Sequence, residues 1–105
     1  MTMITRFRVP DDQAAGFRSQ AHEAGEALAA QIGWCGGELV RSVDDHRAWV
    51  LTARFEHGGA LRRGLGAGPV RYALMALQRW ALDEPSVFEE LVPGGVSELG
   101  LDAMR

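Results

Sequence analysis

Apolar and polar residues alternate over residues 3–9, and this alternation predicts a β-strand. Phe7 and Val9 fall on one face of the strand, whereas Arg6 and Arg8 fall on the other. The proline that follows ends the strand, because proline has no N–H to donate to a ladder of hydrogen bonds. The first element is therefore expected to be a strand with one apolar face.

Beyond this strand, apolar residues recur at three- and four-residue steps, which predicts a helix of about twenty residues. Asp11 or Asp12 is expected to supply a carboxylate to the free N–H groups at the helix start. Gly33 suits the C-terminal exit of the helix. The apolar face is mostly alanine, which allows close packing on a sheet. It consists of Ala14, Phe17, Ala21, Ala24, Leu28 and Ile32.

Two further strands are predicted at residues 34–43 and 48–56. Gly36 and Gly37, near the start of the first of them, indicate a β-bulge or a close approach of two backbones. Residues 44–46 form a turn, since their short polar side chains can bond their own backbone. The connection is so short that the two strands are expected to pair antiparallel, as a hairpin.

Two glycines at residues 58–59 begin a second helical region, which is expected to break at residues 66–68. Pro69 favours a fresh helix start, because the N–H that proline lacks is not needed there. The apolar stripe of this new helix consists of Val70, Ala73, Leu74, Leu77 and Ala81. Residues 83–85 stop the helix, and residues 86–92 predict the last strand.

The predicted order, strand-helix-strand twice over, is typical of an α+β fold, the ferredoxin-like split βαβ sandwich with an antiparallel four-stranded sheet. Residues 1–92 would form this one domain, and residues 93–105 a C-terminal tail that is either a short helix or a loose end. Helices on one face leave the other face of the sheet open. The open face carries Arg6, Arg8, Val50, Thr52 and Arg54. Because this surface is too apolar in places to stay bare, we expect a homodimer.

Composition and charge narrow the class of protein. The chain has 105 residues, 47% of them hydrophobic and 24% charged, which fits one globular domain. No apolar run is long enough for a membrane span and no signal-peptide pattern is present, so we expect a cytoplasmic protein without a membrane partner. Cys35 is the only cysteine, which excludes an intramolecular disulfide and a multi-cysteine metal site. A net charge of −3 argues against a nucleic-acid partner.

Four short motifs, taken in order, resemble the antibiotic biosynthesis monooxygenase family, and they span about residues 3–92. They are Ile-Thr-Arg-Phe-Arg-Val-Pro at 4–10, Asp-Asp at 44–45 followed by Trp-Val-Leu at 49–51, Arg-Phe-Glu at 54–56, and Leu-Asp-Glu-Pro-Ser-Val-Phe-Glu at 82–89. The resemblance implies a dimeric α/β barrel with a ligand pocket in each subunit, between the second helical region and the sheet. Some members oxidise anthrone- or quinol-type aromatics without metal or flavin, and others degrade haem.

The residues present disfavour haem degradation. Haem-degrading members use an Asn on the first strand and a Trp and a His around the second helix; near these positions the chain has Thr5, Gly64 and Leu74. The axial histidine is therefore missing. The pocket Asn of the anthrone oxygenases is absent as well, because the chain contains no asparagine. The resemblance thus implies an oxygenase that needs no metal or other cofactor, with only part of the family's site.

Tyr72, the only tyrosine, is the predicted catalytic residue. It lies in the segment expected over the pocket, where its phenol would hold a substrate hydroxyl or move a proton. The other interpretation is a tyrosine on the helix surface with its hydroxyl in water. Arg71 or Arg79 would stabilise an oxyanion of the substrate, and Thr5, Phe7 and Leu51 would form the floor. The predicted substrate-binding residues are Thr5, Phe7, Leu51, Arg71, Met75 and Arg79.

Several other residues allow two interpretations each. His57, after the third strand, is either a base near neutral pH or a solvated turn residue. Trp49 is expected in the core, whereas Trp80 would lie in the core, at the pocket or at a dimer contact. Residues 57–82 hold four arginines and no acid, so they would either attract an anionic substrate or pair with acids elsewhere, including in a partner subunit. No spacing of histidines and carboxylates is typical of a metal site.

Taken with these residues, the family resemblance implies a cofactor-independent monooxygenase that oxidises an electron-rich aromatic of anthrone or quinol type with O₂. The protein would exclude water from the substrate and favour its anion, which then reduces O₂ directly. The alternative is a non-catalytic small-molecule-binding or accessory protein on the same dimeric scaffold, which the missing asparagine favours. A third possibility, a purely structural dimer, predicts a pocket filled by the protein's own side chains.

Overall fold

A four-stranded antiparallel sheet with three α-helices forms the described part of this computed structural model, residues 1–91. The strands are β1 (Thr2–Arg8), β2 (Trp34–Arg41), β3 (Ala48–Phe55) and β4 (Val87–Phe88). The helices are α1 (Ala14–Ala29), α2 (Gly58–Gly66) and α3 (Gly68–Met75). The predicted α+β class and the antiparallel four-stranded sheet are therefore confirmed.

The strand order is β2-β3-β1-β4, so the N-terminal strand lies inside the sheet. β1 pairs with β3 from Thr2 opposite Arg54 to Arg8 opposite Ala48. β2 and β3 form the predicted antiparallel hairpin. Alternate residues of β3 are buried, which shows that one face of the sheet packs against the helices while the other is open.

The glycine pair near the start of β2 is irregular, as predicted. A bulge separates Trp34 from Gly36, whose φ of +147° favours glycine. A Cβ on Gly37 would overlap the carbonyl oxygen of Thr52 and lie 2.6 Å from the Trp34 ring. The missing side chain of Gly37 therefore leaves room for the β3 backbone and for the Trp34 ring.

Phe17, on α1, is the centre of the aromatic core. Its ring centroid lies 4.9 Å from that of Phe7, 5.3 Å from that of Trp49 and 5.3 Å from that of Trp80. The indole N–H of Trp80 donates to Gln13 Oε1 at 2.6 Å, which satisfies its one polar atom. Trp49 therefore lies in the core as predicted, and Trp80 joins it there with 5% of its surface exposed.

Both ends of α1 differ from the sequence prediction. The apolar face from Phe17 to Leu28 is buried, but the helix ends at Ala29, and Ile32 is 90% exposed. The chain then reverses at Gly33, whose φ is +92°. At the other end, Asp11 and Asp12 lie in a 3-10 turn, and no side-chain hydrogen bond caps either helical segment. The predicted carboxylate cap is therefore wrong.

Within the described residues, the last strand is shorter than predicted: of residues 86–91, only Val87 and Phe88 are strand, and they pair with Met3 and Thr2. Because β1 begins at Thr2, its ladder with β4 stops at Phe88 in this part of the chain. The predicted tail, residues 93–105, lies outside the described residues.

The second helical region breaks where its glycines predict. Ala67 is extended between α2 and α3, and Pro69 lies in the first turn of α3. α3 ends at Met75, and a 3-10 turn at Gln78–Trp80 replaces the predicted continuation to Ala81. This turn brings the chain back to the edge of β1, which is where the candidate site lies.

Candidate functional site

A cavity of about 520 Å³ lies between β1 and the chain that leads from α2 through α3 to β4. Its apolar lining consists of Met3, Ile4, Phe7, Leu65, Leu74, Leu77, Ala81 and Leu82. Its polar lining consists of Thr5, Arg6, Gln78, Asp83, Glu84 and Ser86. The volume is within the range of about 300–1,000 Å³ that is usual for small-molecule sites. We call this space the β1 cavity.

The alternation of β1 builds the floor of the β1 cavity. Met3 and Phe7 are 4% and 3% exposed, and Thr5 lies between them on the same face. Unlike its neighbours, Thr5 is only half-buried, because it faces the open space of the cavity. The floor therefore presents one hydroxyl group within an apolar surface.

Helical spacing in α3 decides which side chains form the opposite wall. Leu74 lines the cavity, and Leu77 lines it from the turn that follows. Tyr72 and Met75 then fall on the outer side of the helix, where they are 81% and 70% exposed. The wall is thus apolar, with Gln78 as the polar residue that the 3-10 turn adds.

An ion pair between Arg6 and Glu84 holds the mouth of the cavity. Arg6 Nε donates to Glu84 Oε1 at 2.6 Å, and Arg6 Nη2 donates to Glu84 Oε2 at 2.9 Å. Beside it, the backbone N–H of Leu82 donates to the carbonyl oxygen of Arg6 at 2.9 Å. The segment before β4 is therefore fixed along the edge of β1 by both side-chain and backbone bonds.

The same ion pair sets the charge at the mouth. Hydrogen bonding from Arg6 lowers the pKa of Glu84, and hydrogen bonding to Glu84 raises the pKa of Arg6. Glu84 is therefore a carboxylate at neutral pH and a weak base. Arg6 has five N–H donors, of which Glu84 accepts two, so others are free to contact a ligand oxygen.

The structure brings together only part of the predicted site. Thr5 and Phe7 line the β1 cavity, as the floor prediction requires. Leu51, the register partner of Thr5, is 3% exposed and lines a different space beside α1. The predicted residues of α3 and the following turn, Arg71, Tyr72, Met75 and Arg79, are exposed and do not line the cavity. Their proposed roles stay predictions.

Apart from Thr5, sequence reasoning does not assign the polar lining residues to the site. Gln78 lies in a 3-10 turn that no periodicity predicts, and Asp83 and Glu84 are expected only to stop the helix and to form part of the motif at residues 82–89. Leu74 and Leu77, by contrast, belonged to the predicted apolar stripe. An apolar stripe opposite a strand face with one threonine was therefore the available signal for this cavity.

His57 and the four arginines of residues 57–82 do not line the β1 cavity. His57 Nδ1 accepts a hydrogen bond from the backbone N–H of Ala60 at 3.1 Å and so caps α2. The four arginines of residues 57–82 form no ion pair with any carboxylate of residues 1–91. The guanidinium carbon of Arg79 instead lies 4.0 Å from the centroid of the Trp80 ring. The expected pairing with acids of the same chain is thus not found in that part.

Residues 1–91 contain neither a metal-binding cluster nor a membrane-spanning helix. They contain no group of three or more His, Cys, Asp or Glu side chains placed to hold a metal ion. None of their helices has the length and apolar character needed to cross a membrane.

Comparisons with known proteins point to one family. A family model described as antibiotic biosynthesis monooxygenase matches residues 1–68. No curated protein matches the chain. SnoaB from Streptomyces nogalater, described as a cofactor-independent oxygenase, superimposes with a TM-score of 0.73 at 23% identity, over 90% of this chain and 96% of its own.

Two further solved structures are similar. A candidate antibiotic biosynthesis monooxygenase from Nitrosomonas europaea has a TM-score of 0.73 at 18% identity, over 90% of this chain and 92% of its own. The protein Rv0793 from Mycobacterium tuberculosis has a TM-score of 0.67 at 20% identity, over 87% of this chain and 97% of its own. At such identities these likenesses establish the fold.

Proposed function

The chain belongs to the antibiotic biosynthesis monooxygenase family, and from this premise we propose that it oxidises an electron-rich aromatic, of anthrone or quinol type, with O₂ and without a cofactor. The observation that supports the proposal most directly is the β1 cavity itself. Met3 and Phe7 contribute an apolar floor, and Leu74 and Leu77 an apolar wall. The polar lining consists of Thr5, Arg6, Gln78, Asp83, Glu84 and Ser86. Such a space fits a flat apolar molecule that carries one or two oxygens.

The proposed chemistry needs no external reductant, because the substrate supplies the electrons. Loss of a C–H proton to water gives the anion of the anthrone, which transfers one electron to O₂. The resulting radical pair combines to a peroxide anion, which takes a proton back from water, and loss of water from this hydroperoxide gives the quinone. One oxygen atom enters the product and the other leaves as water, so atoms and electrons balance.

The residues of the cavity would serve this reaction by binding and by charge stabilisation. Thr5 and Gln78 would hydrogen-bond the oxygens of the substrate and fix its position on the floor. The N–H donors of Arg6 that Glu84 leaves free would stabilise the oxyanion at the mouth. The proposal assigns no step to Tyr72, because its exposed side chain lies outside the cavity.

A homodimer through the open face of the sheet is part of the proposal. Val40 on this face is 43% exposed, and Ile4, Val50 and Thr52 are partly exposed. Arg54 lies beside them, where it donates to the carbonyl oxygen of Cys35 at 3.2 Å. A second copy would cover these apolar side chains and would make the barrel that the family resemblance implies.

The decisive experiment measures O₂ uptake by the metal-free, flavin-free protein with a small panel of anthrones and quinols. We expect uptake with one quinone formed per O₂ consumed. An unreactive panel, together with tight binding of an aromatic by the folded protein, would replace this proposal by the non-catalytic binding protein. An aromatic that neither binds nor reacts would favour the purely structural dimer.

A further inference from the structure

A second cavity lies at the other end of the sheet, between α1 and the edge strand β2. It has a volume of about 730 Å³ and shares no lining residue with the β1 cavity. We call it the α1–β2 groove. The side chains that matter for its chemistry are Arg18 and His22 from α1, Leu39 and Arg41 from β2, and Trp49 from β3. Nothing in the proposed oxidation uses it.

The α1–β2 groove is cationic, although the chain as a whole is acidic. Arg18 and Arg41 line it, and no carboxylate does. Neither arginine forms an ion pair within residues 1–91, whereas the His22 ring is 2.8 Å from Glu26 on the next turn of α1. Two arginines on facing elements without an anionic partner leave a site of positive potential.

Strand register and stacking on an indole ring fix the position of Arg41. Arg41 and Trp49 are partners across the β2–β3 hairpin, and the Arg41 guanidinium carbon lies 5.2 Å from the centroid of the Trp49 ring. The indole N–H of Trp49 is buried and has no acceptor among the described residues. The groove is therefore lined by guanidinium donors and an indole ring, with no carboxylate among its lining residues.

The α1–β2 groove continues along α1 into a smaller apolar space of about 250 Å³. The two spaces share His22 and Leu39, and small residues of α1, Ala21 and Gly25, leave room beside Trp34. Glu26 and Glu38 also line the continuation. A long ligand would therefore meet positive charge at one end and apolar side chains along its length. The two glutamates would repel a second negative charge on the ligand.

We propose that the α1–β2 groove binds an apolar monocarboxylate, with its carboxylate between Arg18 and Arg41 and its hydrocarbon body over Leu39 toward Trp34. Guanidinium groups and carboxylates match in charge and in planar donor geometry. The inference does not depend on the proposed oxidation, because the two spaces are lined by different residues.

The test uses 2-naphthoate as the ligand and 2-naphthamide as its neutral counterpart, with titration calorimetry on the full chain. We expect the carboxylate to bind at least tenfold more tightly than the amide. Arg18→Gln and Arg41→Gln should each weaken 2-naphthoate by about tenfold, since each removes a charge-assisted hydrogen bond. Arg62→Gln, which makes the same charge change on α2, should alter the affinity less than twofold. Circular dichroism checks that each variant is folded.

A second readout locates the ligand. In ¹H–¹⁵N spectra, 2-naphthoate should shift the indole signal of Trp49 and leave the backbone signal of Thr5 in place. Equal binding of acid and amide, or equal affinity in both groove variants and the wild type, would overturn the proposal. A shift confined to Thr5 and its neighbours would also overturn it, because the ligand would then occupy the β1 cavity.

Discussion

Arg6 and Glu84 form a two-bond ion pair, at 2.6 and 2.9 Å, that joins an inner strand to the segment 78 residues further along the chain. The pair closes no helix turn and no hairpin, so it acts purely as a tertiary contact. It fixes one wall of the β1 cavity against the edge of β1, beside the backbone bond between Leu82 and Arg6.

This ion pair makes part of the stability pH-dependent. Because hydrogen bonding to Arg6 lowers the pKa of Glu84, folding favours the carboxylate. The contribution is therefore fully present above the usual glutamate pKa of about 4.3 and is lost as the pH falls through the lower pKa of the folded state. Urea midpoints of the wild type and Glu84→Gln should differ at pH 7 and converge as the pH approaches about 2. Curves that stay parallel over this range would contradict the prediction.

The stability of the aromatic core depends more on Phe17 than on the length of the apolar face of α1. Phe17→Ala should lower the free energy of unfolding by about 3–5 kcal/mol, because a fully buried ring that contacts three others would leave a cavity. Ile32→Ala is the matched control, since Ile32 is 90% exposed, and should change it by about 0.5 kcal/mol or less. Urea unfolding at neutral pH measures both. Similar losses for the two variants would show that Ile32 packs in the core.

Two glycines should respond to alanine with opposite signs. Gly37→Ala should destabilise the protein by about 1–3 kcal/mol, because the new Cβ would collide with β3 and the Trp34 ring. Gly25→Ala, within α1, meets nothing within 4 Å and should stabilise it by about 0.5–1 kcal/mol through helix propensity. Thermal unfolding of the two variants side by side checks this. A stabilised Gly37→Ala would mean that Gly37 does not lie this close to β3 and the Trp34 ring.

Two variants that each remove one hydroxyl separate the cavity from the outer helix surface. Thr5→Val should reduce turnover of the aromatic substrate by about tenfold, because it deletes the hydroxyl on the cavity floor. Tyr72→Phe should retain turnover, since that side chain is 81% exposed. Steady-state O₂ uptake is the measurement. The reverse result would restore Tyr72 as the catalytic residue and remove Thr5.

A charge introduced on the open face of the sheet should disrupt the proposed dimer. Val50 lies between Arg6 and Val40 in the register of β3. Val50→Arg would place like charges side by side on the proposed interface and should convert the dimer to a monomer. Sedimentation equilibrium of the wild type and of the variant reports the change. A wild type that is monomeric at all concentrations would remove the dimer from the proposal.

Most of the fold can be predicted from the sequence, because the apolar periodicity of each element and the turn residues, glycines and prolines around it indicate the same boundaries. The alternation of β1, the hairpin, the apolar face around Phe17 and the break before Pro69 all follow from local pattern. The end of β4 does not, since it depends on where its partner β1 begins, at Thr2, which is a tertiary relationship. The predicted helix is longer than α1 for a similar reason. Ile32 fits the helical period, but the sheet does not cover it.

The candidate site is less predictable than the fold. Thr5 and Phe7 could be placed because they lie on a strand whose buried face was known. The residues of α3 were assigned to the pocket by chemistry rather than by helical phase, although the same phase that buries Leu74 directs Tyr72 outward. Gln78 belongs to a turn whose position depends on the packing of Trp80, and no local pattern encodes it.

The interior position of the N-terminal strand has a consequence for biosynthesis. Of the four strands of this sheet, β1 is synthesised before the other three, but its partners β3 and β4 lie at residues 48–55 and 87–88. At about 5–20 residues per second, β1 stays without a neighbour on the order of seconds, with both edges and one apolar face available to other chains. Protease protection of nascent chains stalled before and after β3 would time its capture. β1 must therefore pair with a hairpin, formed by β2 and β3, that is synthesised after it.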